Sequence, residues 1–302
     1  NLELKKNTFI SNIDTNLIIV DINTLNTPLP KKKLFIIMII LISEISSLIY
    51  ILPYISFMIQ NFGIEEKHVG YYSGIILSSY MVGQFISNII WGYISEKIGL
   101  KPVMLIGLFS SCIFTIIFGL AKNIELAIII RLFHGLSTGN LGVTKTYLYL
   151  VTDKANEVKA FSIFPIAFSI GSILAPAIGG LLETPSKYIN LDKNNILNIY
   201  PYFFPSIVIS LIPFMGFIYG LIYLEEVNNK NKIETNNENI SLKNLLNKNI
   251  ILCSYIYFNI RFTLLGNDNL YPLILSLTKK NKGVELNTIN ISIIYIISAI
   301  YL

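Results

Sequence analysis

The stretch from Gly92 to Pro102 reads GYISEKIGLKP and joins two apolar runs, one at 69–91 and the other at 102–121. Each run is close to the roughly 20 residues that an α-helix needs to cross the hydrocarbon core of a bilayer. Lys97 and Lys101 are typical of a short loop on the cytosolic side of a membrane. The stretch therefore predicts a turn between two membrane-spanning helices.

The composition agrees with a membrane protein. Of the 302 residues, 53% are hydrophobic and only 14% are charged, whereas a soluble domain carries about 25% charged residues. The net charge is +5, but the basic residues lie between apolar runs, which indicates a role in membrane topology rather than in binding nucleic acid. The pattern excludes an ordinary soluble domain.

Apolar runs of similar length recur along the whole chain. The predicted helices are residues 34–59, 69–91, 102–121, 124–150, 158–182, 202–224, 250–277 and 288–302. We therefore predict an all-α membrane protein with a polar N-terminal segment (1–30), a six-helix bundle (31–224), a linker (225–247) with a short surface helix near 242–246, and a partial second bundle (248–302). A piece of a longer protein and a natural half-transporter that dimerises both fit this layout.

Lysines in the short loops set the expected orientation. One side carries most of them, and the other carries fewer. The first set is Lys5, Lys6, Lys31, Lys32, Lys33, Lys97, Lys101, Lys154 and Lys159, and the second is Lys67, Lys122, Lys187 and Lys193. This bias places the N-terminus and the linker in the cytosol, although Lys279, Lys280 and Lys282 fall on the outer side and count against it.

Several ionisable residues lie inside the apolar runs, where they are costly and mark functional sites by default. Glu44 is the candidate proton carrier, with Arg131 as its expected partner; the alternative is a structural carboxylate satisfied by Ser43, Ser47 or Arg131. Asp268 is a second candidate, in a run at 266–269 that we expect to be irregular backbone lining a cavity.

Other polar residues lie on the same predicted helices. Gln84 and Asn88 share one face, where they either line a polar cavity or join helices by hydrogen bonds. Thr138 shares a face with Arg131, and His134 is either a packed side chain or a proton or metal group. These four residues, with Glu44, Arg131 and Asp268, form the predicted substrate and proton pathway.

Three motifs resemble signatures of the major facilitator superfamily. GYISEKIGLK resembles G-x-x-x-D-R-x-G-R-K, with Glu96 in place of Asp and Leu100 in place of the first late base. RLFHGLSTG, at 131–139, resembles R-x-x-x-G-x-x-x-G, whose glycines suit close helix packing. GSILAPAIGG, at 171–180, resembles the antiporter motif G-x-x-x-G-P-x-x-G-G, with Ala175 replacing one glycine.

The resemblance implies roles for these residues. A conformational latch is expected in the first motif, with the acid against a helix N-terminus, where the helix dipole favours negative charge. Close and pliable helix packing is expected in the third. The latch residues are Gly92, Glu96, Lys97, Gly99 and Lys101, and the packing residues are Gly171, Ala175, Pro176, Gly179 and Gly180.

Within the superfamily, the chain looks most like the zinc-induced facilitator-like branch, which is related to tetracycline-type drug–proton antiporters. The residues that carry this likeness are 91–92, 101–107, 185–188 and 201–205. The resemblance implies a twelve-helix fold and proton-coupled export. The sequence lacks the Cys-containing N-terminal motif and the His-rich linker associated with the plant members, so zinc is not carried over as a substrate.

The sequence thus predicts a secondary transporter that alternates access between two bundles, with proton antiport preferred. A uniporter or symporter on the same fold is the alternative, and a non-transporting scaffold is disfavoured by the costly Glu44. No phosphate-binding loop, nucleophile elbow or metal-ligand cluster in the sequence supports an enzyme, and Cys112 and Cys253 suggest neither a disulfide nor a zinc site. We expect a monomer in the bilayer that binds a small molecule or ion and protons, with no cofactor, metal or nucleic acid.

Overall fold

The computed structural model describes residues 8–11, 18–21, 31–153, 156–183, 196–227 and 248–300. The N-terminal part contains β1 (Thr8–Ser11), paired antiparallel with β2 (Ile18–Asp21). Several predictions lie outside the described residues: most of segment 1–30 with Lys5 and Lys6, Lys154, the loop at 185–188 with Lys187, Lys193, and linker residues 228–247 with their surface helix.

Helices make up most of the rest of the described chain. In chain order they are α1 (Lys31–Ile49), α2 (Ile55–Asn61), α3 (Glu66–Ile98), α4 (Leu100–Gly119), α5 (Ile124–Ser137), α6 (Asn140–Val151), α7 (Glu157–Phe161), α8 (Ile163–Leu181), α9 (Ile196–Ile199), α10 (Phe203–Tyr223), α11 (Lys248–Ser276) and α12 (Thr288–Ile300), with a 3₁₀ turn at Lys279–Asn281 before α12.

The structure divides the first predicted helix, 34–59, into two helices. Helix α1 ends at Ile49, and residues 50–54 form hydrogen-bonded turns before α2 begins. Pro53 has no backbone N–H to continue the helical ladder, so the first helix ends before it and the second begins after it.

The fourth predicted span is also interrupted, between α5 and α6. Side chains of α3 bond the carbonyl groups freed at the break. The Ser87 hydroxyl contacts Gly135 O at 2.9 Å and Thr138 O at 3.1 Å, and Trp91 Nε1 donates to Leu136 O at 3.0 Å. A break inside a membrane-spanning segment is tolerated when neighbouring side chains satisfy its backbone in this way.

The seventh predicted helix is more regular than the sequence predicted, unlike the first and fourth, which are less regular. Residues 266–269 were expected to be irregular, yet α11 runs through them without interruption from Lys248 to Ser276. Polar side chains can interrupt an apolar pattern without interrupting the backbone hydrogen bonds of a helix.

Five helical segments of the described chain are long and apolar enough to cross a membrane. They are Glu66–Ile98, Leu100–Gly119, Ile124–Val151, Glu157–Leu181 and Phe203–Tyr223, and α12 is a shorter apolar helix. Helix α1 is not one of these five, because Glu44 and the three lysines at its start give it a higher share of charged residues.

The helices form a bundle with two apolar clusters. α3 packs along α5, α10 packs along α4, and α8 contacts both α1 and α12. One cluster contains Tyr54 and Met58 near α2, and the other contains Ile37 of α1 and Tyr147 of α6. Glu44 lies between the two clusters along α1, so buried polar groups occupy the middle of the bundle.

Candidate functional site

Glu44 is buried in the C-terminal part of α1, with only 8% of its surface exposed. The Tyr80 hydroxyl donates a hydrogen bond to Glu44 Oε1 at 2.9 Å, and Gln84 Nε2 donates to the same oxygen. Both donors stand one turn apart on α3, so a single helix face supplies them. The carboxyl group is therefore held by neutral donors.

Arg131 was expected to pair with Glu44, but the structure does not form this ion pair. Its guanidinium, in a side chain that is 1% exposed, donates from Nη1 to the Ser47 carbonyl at 2.9 Å. The Phe118 and Tyr80 ring centroids lie 4.5 and 5.7 Å from its Cζ. Tyr80 thus contacts both charged groups, and the aromatic faces stabilise the buried cation.

His134 lies one turn after Arg131 on α5 and is also 1% exposed. Its Nε2 shares a hydrogen bond with the Ser111 hydroxyl at 3.0 Å, and Ser111 is bonded to the Ser47 hydroxyl at 2.9 Å. The Tyr80 ring meets the imidazole edge-on, with 5.0 Å between centroids. His134 therefore joins the same polar cluster through α4. Within the described ranges, no three potential metal ligands come together.

The remaining predicted pathway residues divide between this cluster and its border. Gln84 faces Glu44, whereas Asn88 Oδ1 lies 3.9 Å from the position of a Cβ at Gly142, on α6. Thr138 directly follows the last residue of α5 and is fully buried at the break before α6. Thr138 thus lies at the break in the fourth span, and Asn88 lies beside the second half of that span.

Tyr80, Ser47 and Ser111 are cluster members that the sequence analysis did not include in the pathway. Tyr80 stands four residues before Gln84, so a helix-face argument could have included it. Ser47 was considered only as a possible partner of Glu44, whereas its hydroxyl bonds that of Ser111. Ser111 carries no comparable signal, because small hydroxyl residues are common wherever membrane helices pack closely.

Asp268 lies apart from Glu44, beside a cavity of about 240 Å³. The cavity is formed by α1, α3 and α8 of the first bundle and by α11 and α12. The Tyr295 hydroxyl of α12 donates to the backbone carbonyl of Asp268 at 2.6 Å. Asp268 therefore borders a space between the two parts of the chain.

In the predicted latch segment, the acid at the N-terminus of α4 is Glu226 and not the predicted Glu96. Glu96 and Lys97 are exposed. The N-terminus of α4 is instead capped by Glu226, whose carboxylate accepts from Leu100 N at 2.8 Å and from Lys101 N at 3.1 Å. A negative side chain stabilises a helix N-terminus through its free N–H groups and its dipole. Glu226 is a residue that the sequence analysis missed.

The backbone of the latch segment suits its sequence. Gly99 has φ +97°, and a Cβ there would approach Glu226 Cδ to 2.6 Å, so the turn requires glycine. Beside this cap, Lys33 pairs with Glu225 at 2.7 Å. The hydrogen bond from Lys33 lowers the pKa of the Glu225 carboxyl from its ordinary value.

The glycine-rich motif of α8 contacts α1 closely. Gly171 packs on Ile45 of α1, and a side chain on Gly179 would collide with the Tyr50 carbonyl just after α1. Small residues at such positions let the backbones of membrane helices approach each other.

The same motif also contacts the second part of the chain. Gly180 faces Ser292 of α12. Ala175 and Pro176 are buried within α8, which continues through the proline. The motif therefore allows close contact with α1 and with α12.

Comparison with known proteins gives a consistent family. A model described as Major Facilitator Superfamily matches residues 34–302. Major facilitator superfamily multidrug transporter mfsB of Aspergillus fumigatus is 35% identical over 202 residues, which cover 65% of this chain and 34% of that protein. Protein ZINC INDUCED FACILITATOR-LIKE 1 of Arabidopsis thaliana is 35% identical over 190 residues, 62% of this chain and 40% of that protein.

A solved structure has the same fold. The crystal structure of the human organic anion transporter MFSD10 (TETRAN) matches with a TM-score of 0.52 and 18% identity, over 66% of this chain and 49% of that one. At this identity the likeness concerns the fold alone. The chain spans about a third to two fifths of the length of the two sequence relatives.

Proposed function

The chain belongs to the major facilitator superfamily, and on that premise we propose that it is part of a secondary active transporter. It is an integral membrane protein with several membrane-spanning helices. In our proposal it moves a small solute across a membrane by alternating access between two bundles, coupled to proton antiport.

The buried carboxyl group of Glu44 is the observation that carries the proton coupling. A carboxylate inside a membrane-spanning bundle is costly. A buried charge without an opposite charge beside it is strongly destabilising, so such a carboxyl group favours binding a proton. Glu44 has hydrogen bonds from Tyr80 and Gln84, but no cation lies within ion-pair distance of it among the described residues. A carboxyl group held in this way can gain and lose a proton as its solvent access changes.

Arg131 serves in this proposal as a positioning residue. Its bond to the Ser47 carbonyl holds the last turn of α1, next to the turn that carries Glu44. The other predicted pathway residues complete the assignment. Gln84 and Asn88 of α3, with His134 and Thr138 of the fourth span, form the polar path that leads away from Glu44. Asp268 belongs to the cavity between the two parts of the chain.

The two motifs then have mechanical roles. We assign the latch segment to stabilising one conformation, with Glu226 as the acid at the α4 N-terminus. We assign the packing motif of α8 to the contact on which α12 moves relative to α1. The latch residues are Gly92, Glu96, Lys97, Gly99 and Lys101, and the packing residues are Gly171, Ala175, Pro176, Gly179 and Gly180.

The orientation and the partners are parts of the same proposal. Lys33, Lys101 and Glu225 lie at one end of the bundle, and the bias of lysines towards that end supports a cytosolic N-terminus and linker. The protein acts as a monomer in the bilayer and binds a small molecule or ion and protons. The Aspergillus relative is named a multidrug transporter, which supports an organic molecule as the transported solute of this protein.

Transport by the full-length protein in proteoliposomes tests the proposal. An imposed pH gradient drives a panel of radiolabelled organic solutes, and Glu44→Gln is measured beside the unmodified protein. We expect gradient-driven uptake that the variant loses, while its elution and melting stay unchanged. Glu65→Gln is the matched control, because Glu65 is exposed and its charge pairs only with Lys67 in the described chain.

Two outcomes contradict the proposal. Solute flux that ignores the pH gradient in both proteins makes the protein a uniporter and Glu44 a structural group. No flux of any solute in the panel, from protein that remains folded, favours the scaffold.

A further inference from the structure

The cavity beside Asp268 has apolar walls on the side of the first bundle. They are formed by Leu48 of α1, Leu52 just after it, Leu77 and Met81 of α3, and Phe168 of α8. The volume, about 240 Å³, is slightly below the roughly 300–1,000 Å³ typical of ligand pockets. These walls suit a small ligand with an apolar body.

The opposite wall carries one negative charge. Asp268 and Asn269 of α11 line it. Among the described residues no ion pair and no hydrogen bond reaches the Asp268 carboxylate, because the Tyr295 hydroxyl bonds the backbone carbonyl instead. The Ser172 hydroxyl of α8, also at the cavity, has no partner in the described chain either. The site thus offers a carboxylate and a hydroxyl to a ligand.

The nearest basic side chain along the same helix does not line this wall. Arg261 stands seven residues before Asp268, roughly 10 Å along a helix. Its Nε donates to the Tyr257 hydroxyl at 3.0 Å, and its guanidinium lies 5.6 Å from the centroid of the Phe168 ring. Arg261 is not among the cavity-lining residues. The positive charge of Arg261 acts on the Asp268 carboxyl, although the two side chains form no ion pair. A charged ligand in the cavity would therefore contact the carboxylate directly, and no lysine or arginine of the described chain lines the cavity.

We propose that this cavity binds a small organic cation with an apolar body, with Asp268 as its counter-ion. A carboxylate at the edge of a low-dielectric pocket attracts a cation strongly and repels an anion. This assignment rests on the proposed function, since it gives the chemical class of the transported solute.

The place of the cavity relative to Glu44 fits an exchange of solute for protons. Leu48 follows Glu44 by four residues on one face of α1, and Met81 precedes Gln84 by three on α3. The cavity therefore begins about one helical turn from the position of Glu44. A bound cation and a proton on Glu44 both add positive charge to one apolar region, so each disfavours the other.

Equilibrium binding to the purified full-length protein tests the charge of the ligand. Three radiolabelled probes share one aromatic body: benzyltrimethylammonium (cation), benzyl alcohol (neutral) and phenylacetate (anion). We expect saturable binding of the cation alone. Asp268→Asn should weaken it by roughly ten-fold or more, as removing one partner of a desolvated charge pair does.

Two further variants separate charge from shape. Asp268→Glu keeps the carboxylate and should retain binding. Asn259→Ala removes an exposed amide of the same helix that does not line the cavity, and should also retain it. Equal binding of the cation by Asp268→Asn and the unmodified protein overturns the assignment. So does equal binding of all three probes, or no saturable binding of the cation.

The proteoliposome assay distinguishes failure of the cation site from failure of the proposed transport function. Proton-driven flux of other solutes without cation binding leaves the transporter in place and overturns the cation site. Cation binding lost in Asp268→Asn supports the site, even where no solute in the panel is moved and the proposed function itself fails.

Discussion

The interior of the first bundle and its seam with α11 and α12 are built differently. Inside the bundle, Gly83 of α3 and Gly135 of α5 each face the backbone of the other helix, and a Cβ on Gly135 would collide with the Tyr80 carbonyl. At the seam, Gly180 of α8 also packs closely on Ser292 of α12, but a cavity of about 240 Å³ lies between α1, α3 and α8 on one side and α11 and α12 on the other.

A clasp between Glu66 and Thr278 supplies polar bonding at the seam. The Glu66 carboxylate at the start of α3 accepts from Thr278 N at 2.6 Å and from the Thr278 hydroxyl at 3.1 Å. The bundle interior, in contrast, has buried side-chain hydrogen bonds on α1, α3, α4 and α5. On this basis we expect local opening at the seam to need less free energy than opening inside the first bundle.

The largest expected effect comes from disrupting the interior of the first bundle. Gly135→Ala forces a methyl group against the Tyr80 carbonyl, and overpacking of this kind costs roughly 1–3 kcal/mol. Gly142→Ala is the matched control, since the nearest atom to its Cβ is Asn88 Oδ1 at 3.9 Å. Thermal melting of the full-length protein in detergent should fall for the first variant and not for the second. Equal melting of the two variants would contradict the close contact of α3 and α5.

The second largest effect is expected at the N-terminus of α4, at one end of the same bundle. Glu226→Ala removes the cap of α4, and loss of a helix cap costs about 1 kcal/mol. It leaves the amides of Leu100 and Lys101 without their acceptor, so hydrogen exchange at these two amides should speed up. Glu225→Ala is the control, because it removes a neighbouring charge without removing the cap. Unchanged exchange in Glu226→Ala would show that the cap does not persist in solution.

A smaller effect is expected at the seam. Glu66→Ala opens the clasp to Thr278, and we expect several-fold faster hydrogen exchange at the Thr278 amide with no change in the melting of the first bundle. Glu65→Ala, the control, removes the adjacent carboxylate, which pairs with Lys67 instead. If Glu66→Ala lowers the melting temperature as much as Gly135→Ala does, the seam and the first bundle form a single body.

The smallest effect concerns the partly exposed Lys33–Glu225 pair, at the same end of the bundle as the α4 cap. Lys33 lowers the folded-state pKa of Glu225, so the pair contributes stability above the unfolded pKa of about 4.3. That contribution is lost as the pH falls through the lower folded pKa. Lys33→Ala should melt slightly below the unmodified protein at pH 7 and equally at pH 3. A difference that persists at pH 3 would assign the effect to packing of the lysine side chain.

Much of the fold could be predicted from the sequence. The predicted all-α membrane class, the superfamily resemblance and the expectation that the chain is not an enzyme are confirmed by the family match and the related transporters. The breaks at 50–54 and at 138–139 were not predicted. At each of these places the sequence predicted one helix and the structure has two. Hydrophobic length alone does not detect such breaks, because each run stays apolar on average, even though Ser137 and Asn140 flank the second break.

The candidate site could be predicted only in part. Glu44, Arg131 and His134 were singled out because ionisable residues are rare in apolar runs, and the structure places all three in one buried region. Their bonds were not predicted. The sequence suggested Arg131 as the partner of Glu44, while Tyr80 and Gln84 supply the donors.

Local features of this protein follow from the amino-acid sequence alone: which segments are apolar enough to span a membrane, where Gly99 allows a turn, and which positions carry ionisable groups. They depend on side-chain hydropathy and backbone sterics, which act between near neighbours. The tertiary structure was needed to establish that Tyr80 bonds Glu44 and that Glu226 caps α4, contacts in which the bonded residues are 36 and 126 positions apart. The reason is that such partners depend on which helices become adjacent, and the packing of the whole bundle sets that arrangement.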